Sequence, residues 1–126
     1  MSPENTQALI DIYPPIFSDL SEKCCMSLFG FECGDGWFEL LKDLIEGIKE
    51  ICESEKWDIK VNQVKEKYGT LRFYLDSTPE ALSDLIEKYE KQSAHTCEEC
   101  GKGGSMRKKG IWYSVRCDIC WNKAYN

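Results

Sequence analysis

Four cysteines close to the C-terminal end, Cys97, Cys100, Cys117 and Cys120, constrain this chain more than any other feature, because they form a C-x2-C-x16-C-x2-C array. Two residues between paired thiolates let one tight turn aim both sulfurs at a single ion. A 16-residue loop is long enough to bring the second pair round and complete a tetrahedron. Each half reads as a knuckle. Cys97-Glu98-Glu99-Cys100 is followed by Gly101, which supplies the permissive backbone such a turn needs, and Cys117-Asp118-Ile119-Cys120 is followed by Trp121.

The spacing points to a structural zinc ion. A four-thiolate iron site is the main rival, since such a tetrahedron accepts either metal. Two disulfides would need an oxidising compartment, whereas Met1 to Gln7 is polar and offers no apolar leader, so a cytosolic setting is expected. A redox C-x-x-C centre is ordinarily one pair between a strand and a helix, not two pairs facing each other. Four protein ligands also leave no open position for water or substrate, which argues against metal catalysis.

The remaining cysteines, Cys24, Cys25, Cys33 and Cys52, lack C-x-x-C spacing and read as reduced thiols used as small hydrophobes. His95, the one histidine, has no serine nucleophile to serve; its plausible place is beside the first knuckle, outside the ligand set. Neither a phosphate-loop nor a dinucleotide-binding glycine pattern occurs, and the carboxylates fall mostly on polar helix faces. A non-enzymatic protein is expected.

At 126 residues the chain suits one compact domain, or a small domain with a metal-stapled appendage. Periodicity places helices at about 4–12, 15–28, 36–54 and 79–92, and strands at about 57–64 and 70–76. Of these the third helix is the clearest: Phe38, Leu41, Leu44, Ile45, Ile48 and Cys52 share one face, Asp35 is placed to cap it, and Trp37 is expected in the core. The shift of phase between Val61 and Val64 suggests a bulge or an early bend, Lys65 to Thr70 reads as the hairpin connection, and Gly30 to Gly36 reads as a turn. The expectation is therefore an α+β fold in two parts, residues 1–94 holding the helices and hairpin and residues 95–126 forming a zinc ribbon.

Charge bears on the partner. The net charge of -6 is unevenly spread: residues 1–56 hold 12 acids against 4 bases, and residues 96–126 hold 3 acids against 6 bases. Four thiolates and one divalent ion would cut the ribbon's surplus of three to about one, too little to attract duplex DNA by charge alone. A protein partner suits the acidic half better than phosphate does. Two basic clusters stand out as candidate binding residues. Lys65, Lys67, Tyr68 and Arg72 lie on the hairpin, where lysines also serve simply to discourage edge pairing. Arg107, Lys108 and Lys109 lie in the glycine-rich ribbon segment beside Trp112, and a solvated turn is the plainer reading there.

Residues 33–38 (Cys-Gly-Asp-Gly-Trp-Phe), 64–74 (Val-Lys-Glu-Lys-Tyr-Gly-Thr-Leu-Arg-Phe-Tyr), 96–101 and 116–120 together resemble a group of small proteins encoded by phages and prophages. Many small phage proteins bind and block host proteins. The resemblance therefore implies a host protein as partner, with antiviral defence as one target; nucleic acid or a nucleotide held by the basic hairpin and ribbon segment is the alternative.

Overall fold

The computed structural model describes residues 1–125; Asn126, the last residue of the expected ribbon, lies outside them. The fold is α+β, with 5 α-helices and two small sheets among the described residues. Its elements are α1 (Pro3–Ile12), α2 (Cys25–Phe29), β1 (Phe31–Glu32), α3 (Phe38–Glu55), β2 (Val61–Lys67), β3 (Thr70–Leu75), α4 (Glu80–Ser93), β4 (Ser105–Lys109), β5 (Trp112–Arg116) and α5 (Asp118–Tyr125).

α3 is the central element for the reason its sequence suggests. Its apolar stripe, Leu41, Leu44, Ile45 and Ile48, is fully buried and packs against α1 and α4, and the other face is left to acids and lysines. Lys56 ends the helix in a left-handed conformation, returning its N–H to Cys52. The first sheet has the order β1-β2-β3, with β1 parallel to β2 and β2 antiparallel to β3. The expected bulge is present as a register shift between Val61 and Gln63. On the open side of β3, the Leu71 N–H donates to Ser93 Oγ and the Phe73 N–H to Glu90 Oε2, so α4 caps an edge that would otherwise invite another strand.

Several expectations need correction. The helix expected over 15–28 is instead a 3-10 turn at Pro14–Phe17, a loop, and the short α2. Ser18 Oγ donates to the Pro15 carbonyl, Asp19 is left-handed (φ 55°), and Ser21 Oγ accepts from Lys23 N–H. These local bonds outcompete the helix ladder, although Ile16 and Met26 still reach the core. Cys24 consequently lies outside the helix and caps it, its sulfur accepting from Ser27 N–H. Within the stretch expected to be a plain turn, Phe31 and Glu32 form β1, a pairing with Val64 and Lys65 that only the tertiary fold brings about.

The hairpin connection is also shorter than expected. β2 continues through Lys67 and the turn is Tyr68–Gly69 alone, both with positive φ, which is the two-residue type that matches strand twist. Asp35 does not cap α3. A 3-10 turn, Asp35–Trp37, intervenes, and the Asp35 carboxylate accepts from Ser2 N–H and Asn5 Nδ2, tying down the start of α1. Those bonds, the Ser2 amide first, hold its carboxyl below the usual range. Trp37 is fully buried, as expected of a core residue.

Beyond His95, Arg107, Lys108 and Lys109 are not a solvated loop but most of strand β4. It pairs with β5 through the two-residue turn Gly110–Ile111, and α5, an element the sequence reading omits, follows the second knuckle.

Candidate metal centre

Each cysteine pair is brought to the cluster by a different local device. In the first knuckle Gly101, left-handed at φ 82°, returns its N–H to the Cys97 carbonyl at 2.9 Å, while Cys97 N–H donates to the Lys102 carbonyl. In the second, Cys117 immediately precedes α5 and its sulfur accepts the Cys120 N–H at 3.4 Å in the manner of a helix cap. An amide bond and a helix N-terminus both favour the thiolate over the thiol.

All four sulfurs lie within 4.8 Å of one another, and Cys100 Sγ and Cys117 Sγ are 3.7 Å apart. Metal–thiolate bonds of about 2.3 Å in a tetrahedron require sulfur separations of about 3.8 Å, so the donor set fits a four-coordinate ion. Cys97 and Cys120 are buried and Cys100 is exposed, which places the cluster at the edge of the unit with one side toward solvent.

Proton affinities within the cluster conflict. Burial lifts the Cys97 thiol, but the main-chain groups of Cys117, Cys100 and Glu99 outweigh it and bring it down to about 7. Its bond with the Cys117 sulfur, then burial, push Cys120 up to about 12. Like charges this close disfavour four thiolates together, and a bound metal ion would offset that repulsion.

Ion pairs and stacking brace the centre. Arg107 pairs with Asp118 and lies over the Trp121 ring at 5.8 Å, joining β4 to α5; Arg116 pairs with Glu99, joining β5 to the first knuckle. Arg107 is thereby engaged inside the unit. His95 is exposed and donates and accepts through its main chain, with no side-chain bond to a cysteine among the described residues.

The first knuckle also rests on the turn that leads into α3. Gly36 N–H donates to the Glu98 carbonyl at 2.8 Å, Gly34 N–H to Glu98 Oε2 at 2.9 Å, and Trp37 Nε1 to the Thr96 carbonyl at 2.9 Å. A β-carbon on Gly36 would stand 2.5 Å from the Glu98 carbonyl. Only glycine lets the two backbones meet.

The two basic clusters are brought together in part. The Tyr68–Gly69 turn leans on the second sheet, a β-carbon on Gly69 falling 2.5 Å from Met106 Sδ and 3.4 Å from Ser114 N. Lys67 and Tyr68 therefore neighbour β4 and β5, and Lys67 Nζ stands 5.8 Å from the Tyr68 ring. Lys65 and Arg72 face each other across β2 and β3 on the outer side of the first sheet, farther from the hairpin turn. Trp112, which opens β5 after the Gly110–Ile111 turn, is 73% exposed, and Ile111 in the turn itself is 82% exposed. A glycine-led two-residue turn between alternating segments was the available signal for that tip.

Outside the cluster, burial pushes the Cys33 thiol up to about 12, whereas the Ser27 hydroxyl and amide lower Cys24. Because the thiolate is the nucleophile, iodoacetamide at mildly alkaline pH is expected to label native Cys33 at least about a hundredfold more slowly than Cys24. Peptide mapping by mass spectrometry checks this, and equal rates would contradict the burial of Cys33.

The arrangement defines a small α+β protein with a closed four-cysteine centre able to hold a metal ion. Comparison of the chain with family models, curated proteins and solved structures yields no match. No helix among the described residues is long and apolar enough to cross a membrane.

Proposed function

We propose that this is a non-enzymatic binding protein, its C-terminal unit stapled by one zinc ion, that works by docking on a protein partner. The carrying observation is where its exposed apolar side chains lie. Of the 10 large ones among the described residues, Tyr68, Met106, Ile111, Trp112, Tyr113, Ile119 and Tyr125 belong to the C-terminal unit or to the turn that leans on it. Aromatics with Ile, Met and cations concentrated in one small unit match the composition of an interface centre, whereas apolar residues spread evenly over the chain would need no explanation. The resemblance to phage-encoded proteins supports a host protein as the partner, and a defence component as one such target.

Zinc is the ion this reading assigns to the four thiolates, since sites with four protein ligands serve mainly to hold structure. The ion would hold the β4–β5 tip in a fixed attitude to the rest of the chain. The test is co-purification from host cells. Wild-type bait is expected to retain a protein that Ile111→Ser/Trp112→Ala bait loses, the variant keeping its fold because both residues are exposed. No specific protein recovered, alongside tight oligonucleotide binding, would overturn the reading.

One observation favours a second reading. Lysines stand over rings at Lys67–Tyr68, Lys108–Tyr113 and Lys109–Tyr125, the combination that single-stranded nucleic acid uses for stacking and phosphate contact. It requires binding that weakens steeply with salt and is lost on changing Lys65, Lys67 and Arg72 together to alanine.

A further inference from the structure

The second sheet has only two strands, β4 and β5, so each has one side without a strand neighbour. Lys109 and Trp112 flank a two-residue turn and are thus a hydrogen-bonded pair, as are Arg107–Ser114 and Ser105–Arg116. It follows from this alternation that the main-chain groups of Met106 and Lys108 on β4, and of Tyr113 and Val115 on β5, point outward from the hairpin.

These two edges differ. On β5 the first knuckle takes up the edge, Glu98 N–H donating to the Val115 carbonyl at 2.9 Å. On β4 neither Met106 nor Lys108 has a main-chain hydrogen bond outside the hairpin among the described residues, and four of the strand's five residues are exposed. β3, by contrast, has its edge capped by Ser93 and Glu90. The fold closes one edge with side chains and leaves the other open.

Charge selects what can lie there. Among the described residues neither Lys108 nor Lys109 forms an ion pair, and each stands over a ring, Lys108 over Tyr113 and Lys109 over Tyr125, with 5.5 Å from nitrogen to ring centre. A second copy of the chain adding β4 against β4 would set Arg107, Lys108 and Lys109 against their own kind, which like-charge pairing disfavours. A strand bearing acids would meet them favourably, with an apolar residue reaching Ile111 and Trp112 at the tip.

We propose that β4 is a strand-addition site for an extended, acidic segment of a partner protein. Main-chain bonds to Met106 and Lys108 supply affinity, and pairing of carboxylates with Lys108 and Lys109 supplies selectivity. This rests on the protein-binding reading above and says how that partner is held. The rival is that the lysines merely blunt an edge.

The test uses the full chain purified with zinc and a fluorescent short peptide with adjacent glutamates between valines, so that one carboxylate faces Lys108 and the next, on the opposite side of the sheet, faces Lys109. Binding is expected, with slowed hydrogen exchange at the Met106 and Lys108 amides. Methylating alternate peptide nitrogens should weaken it about tenfold, the loss of one or two net hydrogen bonds. A Lys108→Glu/Lys109→Glu variant should transfer its preference to a lysine–valine peptide. No binding, equal binding of the methylated peptide, or binding of oligothymidylate alone overturns strand addition. If that happens while co-purification still depends on Ile111 and Trp112, the protein-binding reading stands without it; if co-purification also fails, both fall.

Discussion

Removing the metal with a chelator is expected to unfold residues from Thr96 to α5 and also to lower the thermal midpoint of the N-terminal helices. The first effect follows from size. A unit whose buried residues, among those described, are only Cys97, Val115 and Cys120 has too little apolar surface to fold alone, and metal binding in such units supplies about 10–16 kcal/mol of apparent folding free energy. The second follows from the bonds that Gly34, Gly36 and Trp37 donate to Thr96 and Glu98. Releasing three such bonds costs about 3 kcal/mol, which corresponds to a fall of about 10 °C for a domain of this size. Trp37 makes the coupling strongest, because its ring is fully buried in the main core while its Nε1 reaches the knuckle. Calorimetry with and without chelator checks both effects. An N-terminal transition that keeps its midpoint after metal loss would show that the knuckle rests on the core without supporting it.

Local pattern was legible where it was strong and repeated. α3 announces itself through a long apolar stripe, and its observed span, Phe38–Glu55, begins two residues inside the expected one because Asp35–Trp37 is wound more tightly. Cysteine spacing was legible because two residues between thiolates is a chemical requirement independent of the surrounding fold. The expected helix over 15–28 misled because the apolar spacing of Ile16, Leu20, Cys24 and Leu28 is genuine, but Ser18, Asp19 and Ser21 give the backbone cheaper local partners. β1 and the contact between Gly36 and Glu98 were illegible for another reason. Both join residues more than 30 positions apart, and nothing in a two-residue strand or a glycine says what it will meet. Basic character around Arg107 to Lys109 was visible, yet its division was not: Arg107 braces α5, and Lys108 and Lys109 remain toward solvent.

Gly36→Ala is expected to be the most damaging small substitution in the chain. The added carbon meets the carbonyl groups of Cys97 and Glu98, which are backbone and cannot rotate away as a side-chain tip could. Relief requires the knuckle to withdraw, and withdrawal breaks the 2.8 Å bond from Gly36 N–H to the Glu98 carbonyl and strains the Trp37–Thr96 bond. Overpacking of about 1–3 kcal/mol plus one lost buried bond gives a destabilisation of about 3–4 kcal/mol. Because Cys97 moves with the same backbone, metal affinity should fall as well; by linkage, whatever the metal contributes to the fold, the fold contributes to the metal. Gly103→Ala is the control, since a β-carbon there meets nothing within 4 Å and its backbone is not left-handed. Competition for zinc against a coloured chelator, run beside thermal melts, separates the cases. Gly103→Ala should match wild type in both measurements, and Gly36→Ala should lose in both. A Gly36→Ala protein that melts early yet holds zinc at wild-type affinity would mean that the knuckle is preorganised by its own turns, and that the α3 junction only positions it.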